Sequence, residues 1–363
     1  MKSERYRKTV VLLSIVTLTA YMTWRSLFTM PSGYGTIVMI CAVIMLICEL
    51  LSGLEMILHL LNSLHIDEPE LPVIDDNWYP DIDVFIATHN EPEDVLYKTV
   101  NGCRHMKYPD NRKVHIWLCD DGFRESVRNL AEEMGVGYQG LKNNKLAKAG
   151  NLNHAIANTD SPLIATFDAD MIPTRNFLIR TVPYFFLPRM KKNDQGRWVE
   201  RTDEEINPEY KIGFIQTPQS FYNPDLFQYN LYSEDSIPNE QDYFFREINV
   251  SRNRNNAPIY AGSNTLISRE ALVKAGGIAT GTITEDFETG IHIQDEGYSC
   301  YATSEPLAHG LAPDTIDSLI KQRERWGRGC VYSLRRINIW QGKKMSFGSK
   351  ISYFSCELYW WSY

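Results

Sequence analysis

No C-x-x-C pair occurs in the 363 residues, so the seven cysteines (Cys41, Cys48, Cys103, Cys119, Cys300, Cys330 and Cys356) spell neither a zinc cluster nor a disulfide framework. Basic charge is also short. The 37 Lys and Arg against 45 Asp and Glu leave a formal net charge of −8, whereas a nucleic-acid protein usually carries a basic face. There is no Walker A loop, no internal repeat and no low-complexity tract. "GVGYQG" matches G-x-G-x-x-G at Gly135, Gly137 and Gly140. It follows the helical run "RNLAEEM" rather than a strand, so Gly135 reads as a helix C-cap and a dinucleotide site is rejected. A phosphate-bearing ligand would then be held by a metal ion, not by a glycine cradle. The sequon Asn249-Val250-Ser251 would matter only in a secreted domain and is read as chance.

Long apolar runs, by contrast, are present at the N-terminus. Thr9 to Trp24 carries no charge and is flanked by Lys8 and Arg25, and Ile37 to Leu54 contains only Glu49. Each is close to the ~20 residues that a bilayer span needs. A signal peptide does not fit, because "TAYMTWRS" has no small-residue cleavage site and a second apolar run follows. Two buried helices of a soluble protein are the alternative to a membrane hairpin. With Lys2, Arg5, Arg7 and Lys8 ahead of the first span, the positive-inside rule places the N-terminus in the cytosol, and two spans return the chain there. Glu49 and Glu55 are expected to face other helices or the interface rather than lipid.

An acidic, proline-punctuated linker (62–80) separates this hairpin (1–61) from a regular pattern. "DVFIAT", "VHIWLC" and "LIATF" are strand-like; "PEDVLYKTVNGCRHM", "RESVRNLAEEM" and "KAGNLNHAIAN" have helical spacing. The alternation argues for an α/β fold with a parallel sheet covered on both faces. A charged insertion (191–210) precedes another short strand, "KIGFIQT". Beyond Leu311 the chain turns basic and aromatic, which suits helices lying at a membrane interface (311–345), followed by the start of a further segment (346–363).

Ligands of open parallel sheets bind beyond the carboxyl ends of the strands. Here the first strand runs into Thr88, His89, Asn90 and Glu91, the second into Asp120 and Asp121, and the third into Asp168 and Asp170. One acidic strand end is an ordinary turn former; three together point to a site. Two carboxylates at i and i+2 can converge on one hard cation, and Mg²⁺ or Mn²⁺ takes a few carboxylates plus phosphate oxygens and water. Downstream, Thr284, Glu285 and Asp286 precede a helical run. They read either as a helix N-terminus or as the seat of a general base for an acceptor hydroxyl. Gln322, Arg325 and Trp326 share one amphipathic segment, either a basic interfacial helix or a site where arginine meets diphosphate and an indole stacks on a sugar.

Taken in order, "FIATHNEP", "LCDDG", "KAGNLNHA", "FDADMIP", "QTPQSFYNPD", "TED" and "QRERW" resemble the processive family-2 glycosyltransferases of the bacterial cellulose synthase type, over about Asp81 to Arg336. The resemblance implies a Rossmann-like, GT-A-type mixed-sheet glycosyltransferase domain (81–310), facing the cytosol of a multi-pass plasma-membrane protein and using UDP-glucose with Mg²⁺ or Mn²⁺. It implies that Thr88, Asn90, Glu91, Asp120 and Asp121 line the uridine pocket, and that Lys148 approaches the donor. Asp168 and Asp170 would bind UDP through the metal, with Asp286 the base. Gln322 and Arg325 would contact the diphosphate; Trp326, with Glu285 and Thr284, would face the acceptor. The implied partners are the growing β-glucan, the lipid bilayer, and export or accessory subunits, with no nucleic acid. Ala261 departs from the family's usual Cys in "IYAGSN", which opens the linkage between β-1,4 and β-1,3. Hyaluronan- or chitin-type synthases usually carry a different triplet at 284–286, and an inactive nucleotide-binding scaffold would not need every one of these carboxylates. The chain stops ahead of the channel-completing helices that the resemblance implies, so it is expected to be a fragment.

Overall fold

The computed structural model describes residues 2–64, 66 and 68–362. Two helices, α1 (Lys2–Phe28) and α2 (Thr36–Ser63), lead the chain and pack on each other. Both are long and apolar enough to cross a membrane, α2 spanning roughly 40 Å at 1.5 Å per residue. Leu12, Leu13, Val16, Ile37, Ile40 and Ile44 point outward, unburied by protein. Glu49 does not share that face: its carboxylate pairs with Arg25 Nε of α1 at 2.7 Å.

The sheet that follows has seven strands: β1 (Ile82–Thr88), β2 (Val114–Asp120), β3 (Gly137–Gly140), β4 (Leu163–Asp168), β5 (Ile212–Gln216), β6 (Thr265–Ser268) and β7 (Ser299–Ala302). Their spatial order is β7-β5-β6-β4-β1-β2-β3. β1 runs parallel to β2 and β4, and β2 to β3. β6 is antiparallel to both β4 and β5, so the sheet is mixed. Helices α3 (Glu93–Arg104), α4 (Glu125–Met134) and α5 (Ala147–Ala157) make the crossovers. Every residue of β1 is buried, as a central strand covered on both faces requires.

Gly135 caps α4 in the left-handed region (φ 64°). The stretch just after it is not merely a loop but edge strand β3, short and closed by glycines at both ends. A side chain at Gly137 would begin 2.2 Å from the Trp117 ring. The charged insertion is also ordered in part: Met190–Lys192 pairs with Trp198–Glu200 as an antiparallel hairpin.

Asp83 is the one charge inside β1, and the fold surrounds it. Its carboxylate accepts from Arg269 Nη2 (2.7 Å), Trp117 Nε1 (3.0 Å) and Ser161 N (3.0 Å). Arg269 in turn donates to Ser161 O and Ile156 O, so this pair locks the strand to the loop before β4 and to the end of β6. Removing one partner of a buried pair strands the other charge. Asp83→Ala is therefore expected to cost about 3–5 kcal/mol, read as a lowered thermal midpoint of the purified protein. An unchanged midpoint would show that water replaces the carboxylate.

The later helices are α6 (Glu285–Asp295), which shares a core with α5, and α7 (Ile316–Ile337) and α8 (Phe347–Ser362). α8 packs along α2. Asn255 donates to Asn62 Oδ1 (2.8 Å) and to Ser352 Oγ (3.0 Å), and His59 Nε2 lies 2.9 Å from the Tyr243 hydroxyl. The end of α2 is thereby pinned to the sheet domain by polar contacts.

Candidate active site

The exits of β1 and β2 are tied into one knot. The Thr88 hydroxyl donates to Glu91 Oε2 (2.8 Å), which also accepts from His89 N (2.7 Å). Burial works to raise the Glu91 carboxyl, but these two bonds and the Arg124 charge outweigh it and hold it below its ordinary value. Asp120 is fully buried. It accepts from Gly122 N (3.1 Å), Arg124 N (2.6 Å), Arg124 Nε (3.1 Å) and the Tyr138 hydroxyl (3.1 Å). Its oxygens are spent on the protein, so Asp120 sets the shape of the pocket rather than offering a free acceptor. Asp121 instead pairs with the exposed His89, and Asn90 is exposed beside them.

Arg124 joins this knot, although no motif in the sequence gives it a role. It reaches Thr88 Oγ1 (2.7 Å) and Glu91 O (2.8 Å) while holding Asp120. The available signal was an arginine at the start of a helix, four residues after a buried strand-end aspartate.

The exit of β4 carries the Asp-x-Asp pair. Asp168 N donates to Ser263 Oγ (2.9 Å), and Met171 N closes a turn onto Asp168 O (3.1 Å). Lys148, from the first turn of α5, donates to Asp168 Oδ1 (2.5 Å) and to Gly262 O (3.0 Å). Burial opposes its charge, but Asp168, then Glu285 and Tyr260, hold its pKa above the ordinary lysine value. Asp170 makes no such pair. Burial first, then repulsion from Asp168, pushes its carboxyl up to about 6. Among the described residues no group of three or more metal-ligating side chains gathers. Two carboxylates alone suit a hard cation that takes its remaining oxygens from diphosphate and water. The residues fit such an ion.

Asp286 arrives from the opposite side. It is half-buried in the first turn of α6, and burial first, then the Glu285 carboxylate, raises it to about 7, with Lys148 working against the rise. Gly262 (φ 76°) is what allows the approach. A Cβ there would lie 2.7 Å from Asp286 Oδ2 and 3.2 Å from Lys148 Nζ. The loop before β6 therefore brings Lys148, Asp168 and Asp286 around one glycine, which no local spacing in the sequence encodes. Ala261 beside it is fixed by Gln216 Oε1 (2.8 Å to its N–H) and by Gln219 Nε2 (3.1 Å to its O).

The third group comes in on α7. Gln322, Trp326, Gly329 and Ser333 fall on one face at helical spacing. A Cβ at Gly329 would sit 2.2 Å from Thr284 Cγ2, and Ser333 Oγ meets Thr282 Oγ1 at 2.8 Å. The 284–286 triplet and the Gln-x-x-Arg-Trp segment are thus neighbours. Trp326 is half-buried, with the Arg323 guanidinium 4.4 Å from its ring centroid, while Arg325 is exposed.

A mixed Rossmann-like sheet with an Asp-x-Asp pair at the exit of its central region, faced by a half-buried carboxylate, defines a GT-A-like glycosyltransferase fold. The description "Glycosyl transferase family 2" matches residues 83–276, and "Glycosyl transferase family group 2" matches 198–363. The chain belongs to glycosyl transferase family 2. It is 33% identical over 361 residues to the cellulose synthase catalytic subunit (UDP-forming) of Pseudomonas fluorescens, covering 96% of this chain and 44% of that protein. It is 33% identical over 357 residues to the cellulose synthase 1 catalytic subunit (UDP-forming) of Komagataeibacter xylinus, covering 98% and 45%. The chain thus spans less than half the length of these relatives. Among solved structures, a mannosyltransferase from Pyrobaculum calidifontis in complex with GDP-Man and Mn²⁺ shares the fold, with a TM-score of 0.60 at 17% identity over 86% of this chain and 80% of that one.

Proposed function

We propose that the chain is the catalytic part of a membrane-bound, processive, inverting glucosyltransferase that passes glucose from UDP-glucose to a growing β-glucan, with β-1,4 linkage as the first reading. The observation that carries this is the meeting of Lys148, Asp168 and Asp286 around Gly262. It sets a diphosphate-side carboxylate and a base-side carboxylate on either wall of one cleft. The relatives named as UDP-forming cellulose synthases favour UDP-glucose among donors.

In this reading the knot of Thr88, Asn90, Glu91, Asp120 and Asp121 forms the uridine pocket, its walls held by Arg124. Asp168 and Asp170 would hold Mg²⁺ or Mn²⁺, which when bound offsets diphosphate charge. Lys148 adds a fixed positive charge beside Asp168, and Gln322 and Arg325 approach the diphosphate from α7. Asp286 takes the proton from an acceptor hydroxyl, whose oxygen attacks the anomeric carbon as UDP departs from the opposite face, converting an α-linked donor into a β-linkage. Trp326 stacks the acceptor sugar, with Thr284 and Glu285 at its edge. α1 and α2 cross the plasma membrane and hold this site on its cytosolic side, the multi-pass remainder and any export subunits receiving the polymer.

Ala261 favours a second reading. A methyl group stands where the family usually has a sulfur, and the acceptor ring's tilt sets which hydroxyl meets Asp286. A β-1,3-glucan is the alternative product. Membranes containing the protein, supplied with UDP-sugars one at a time, are expected to polymerise UDP-glucose into material cut by a β-1,4-specific glucanase. Cutting by a β-1,3-specific enzyme alone selects the second reading, and a polymer made only from UDP-N-acetylglucosamine refutes both.

Trp326→Ala is expected to impair elongation more than hydrolysis of UDP-glucose, because water needs no stacking platform. Stacking on aromatics is worth roughly 1–3 kcal/mol in the analogous case of nucleic-acid bases. Equal loss of both activities would mean that the indole only holds α7 in place.

A further inference from the structure

Helix α6 begins without a cap of its own. Thr284 occupies the capping position, yet its hydroxyl bonds none of the first-turn N–H groups, although a threonine there ordinarily takes one. It meets Ser333 Oγ of α7 at 3.4 Å instead, and the Thr282 hydroxyl meets the same oxygen at 2.8 Å. The first turn, which carries Asp286, is therefore held from outside the helix. What holds it is the last part of α7.

Arg336 closes that hold. Its Nη1 and Nη2 both donate to Thr280 O (3.1 Å each), and Nη1 also reaches Gly281 O at 3.3 Å. On its other side Nη2 pairs with Glu288 Oε1. Glu288 is only 1% exposed. Burial works to raise its carboxyl, but His292 and Arg336 outweigh burial and hold it below its ordinary value. Within the same bracket Ala279 N donates to Thr289 Oγ1 (2.8 Å), and that hydroxyl donates to Glu285 O (2.5 Å). One guanidinium thus spans the backbone ahead of Asp286 and a carboxylate two residues after it. Its planar fork of donors can hold both at once, whereas a lysine's ammonium is a single point on a flexible stem.

The stake is geometric. A base must lie within hydrogen-bond reach of the proton it takes, and a misplacement of about 1 Å can cost ~10²-fold. Phe287, Ile291 and Leu334 share a core, so α6 and α7 stay packed whatever stands at 336. What the arginine adds is the path of the loop that delivers Asp286. It lies about three turns along α7 from Arg325, so it touches neither the donor nor the acceptor side directly.

We propose that Arg336 is a positioning residue for Asp286: its guanidinium ties Thr280, Gly281 and Glu288 to the last turn of α7 and so fixes where the base stands. This rests on the reading of Asp286 as the base.

The test uses the whole chain in lipid nanodiscs, with UDP-glucose as donor and cellotetraose as acceptor. Arg336→Gln is expected to lower kcat by about tenfold or more, while the KM for UDP-glucose and the calorimetric Kd for UDP stay within about twofold of the wild type. Arg336→Lys keeps a charge beside Glu288 but not the fork. It is expected to show a smaller fall in kcat with the same unchanged KM, and it decides alone if Arg336→Gln does not fold. Added to Asp286→Asn, either substitution is expected to cost no more than about a further twofold, because no base is left to position. An unchanged kcat in either single variant overturns the proposal. A parallel rise in the KM for UDP-glucose overturns it too, and so does a full further loss in the Asp286→Asn background, since the arginine would then act elsewhere. A wild-type rate in Asp286→Asn alone is a separate result: the base reading itself fails, and the positioning role fails with it.

Discussion

Asp286→Asn is expected to slow transfer by on the order of 10²-fold or more, the scale of general-base catalysis, while leaving UDP affinity within a few-fold. Asp286 and the Asp168-paired Lys148 both lie against Gly262, and none of the residues proposed for the uridine pocket bonds to Asp286. An amide of the same shape keeps the bond from Phe287 N (2.7 Å) but cannot accept the acceptor's proton. The pH dependence has a definite sign. Burial and Glu285 raise the carboxyl to about 7, so below that pH it is protonated and cannot serve as a base. The wild-type rate should fall about tenfold per unit on the acid side, and the Asn variant should lose that limb. Collapse of UDP binding in Asp286→Asn, or a rate independent of pH between 5 and 8, would remove Asp286 from the role of base.

Chelation is the second large effect. EDTA is expected to stop transfer, and excess Mg²⁺ or Mn²⁺ to restore it, because a cation contributes several kcal/mol to a developing diphosphate charge. Asp170→Asn is the cleaner substitution. Asp168 also anchors Lys148, so altering it disturbs two charges at once, whereas Asp170 has no side-chain ion pair among the described residues. UDP binding and turnover should weaken together in Asp170→Asn. Full activity in EDTA would leave Lys148, Gln322 and Arg325 as the diphosphate's only partners.

The sequence by itself determined the elements with strong local character. β1, β2 and β4 are mostly apolar runs, and α3, α4 and α5 alternate with them at helical spacing, so the parallel half of the sheet and its acidic strand exits were legible from periodicity. The Gly135 cap was legible for the same reason, since a left-handed residue after a helix favours glycine. The short strands β3, β6 and β7 were not, because four residues hold too few side chains to display a period, and β3 is bounded by glycines whose role is to admit the Trp117 ring at one end. Only the tertiary structure could decide three things: that Asp120 is consumed by Arg124 and Tyr138, that Lys148, Asp168 and Asp286 meet at Gly262, and that α7 comes against Thr284 where Gly329 permits it. The separation reaches 138 positions, between Lys148 and Asp286, and each meeting is set by packing between elements. The strand exits carried their chemistry in the local order of residues; the cleft that makes them one site exists only once β6 turns antiparallel and carries the Gly262 loop back to β4.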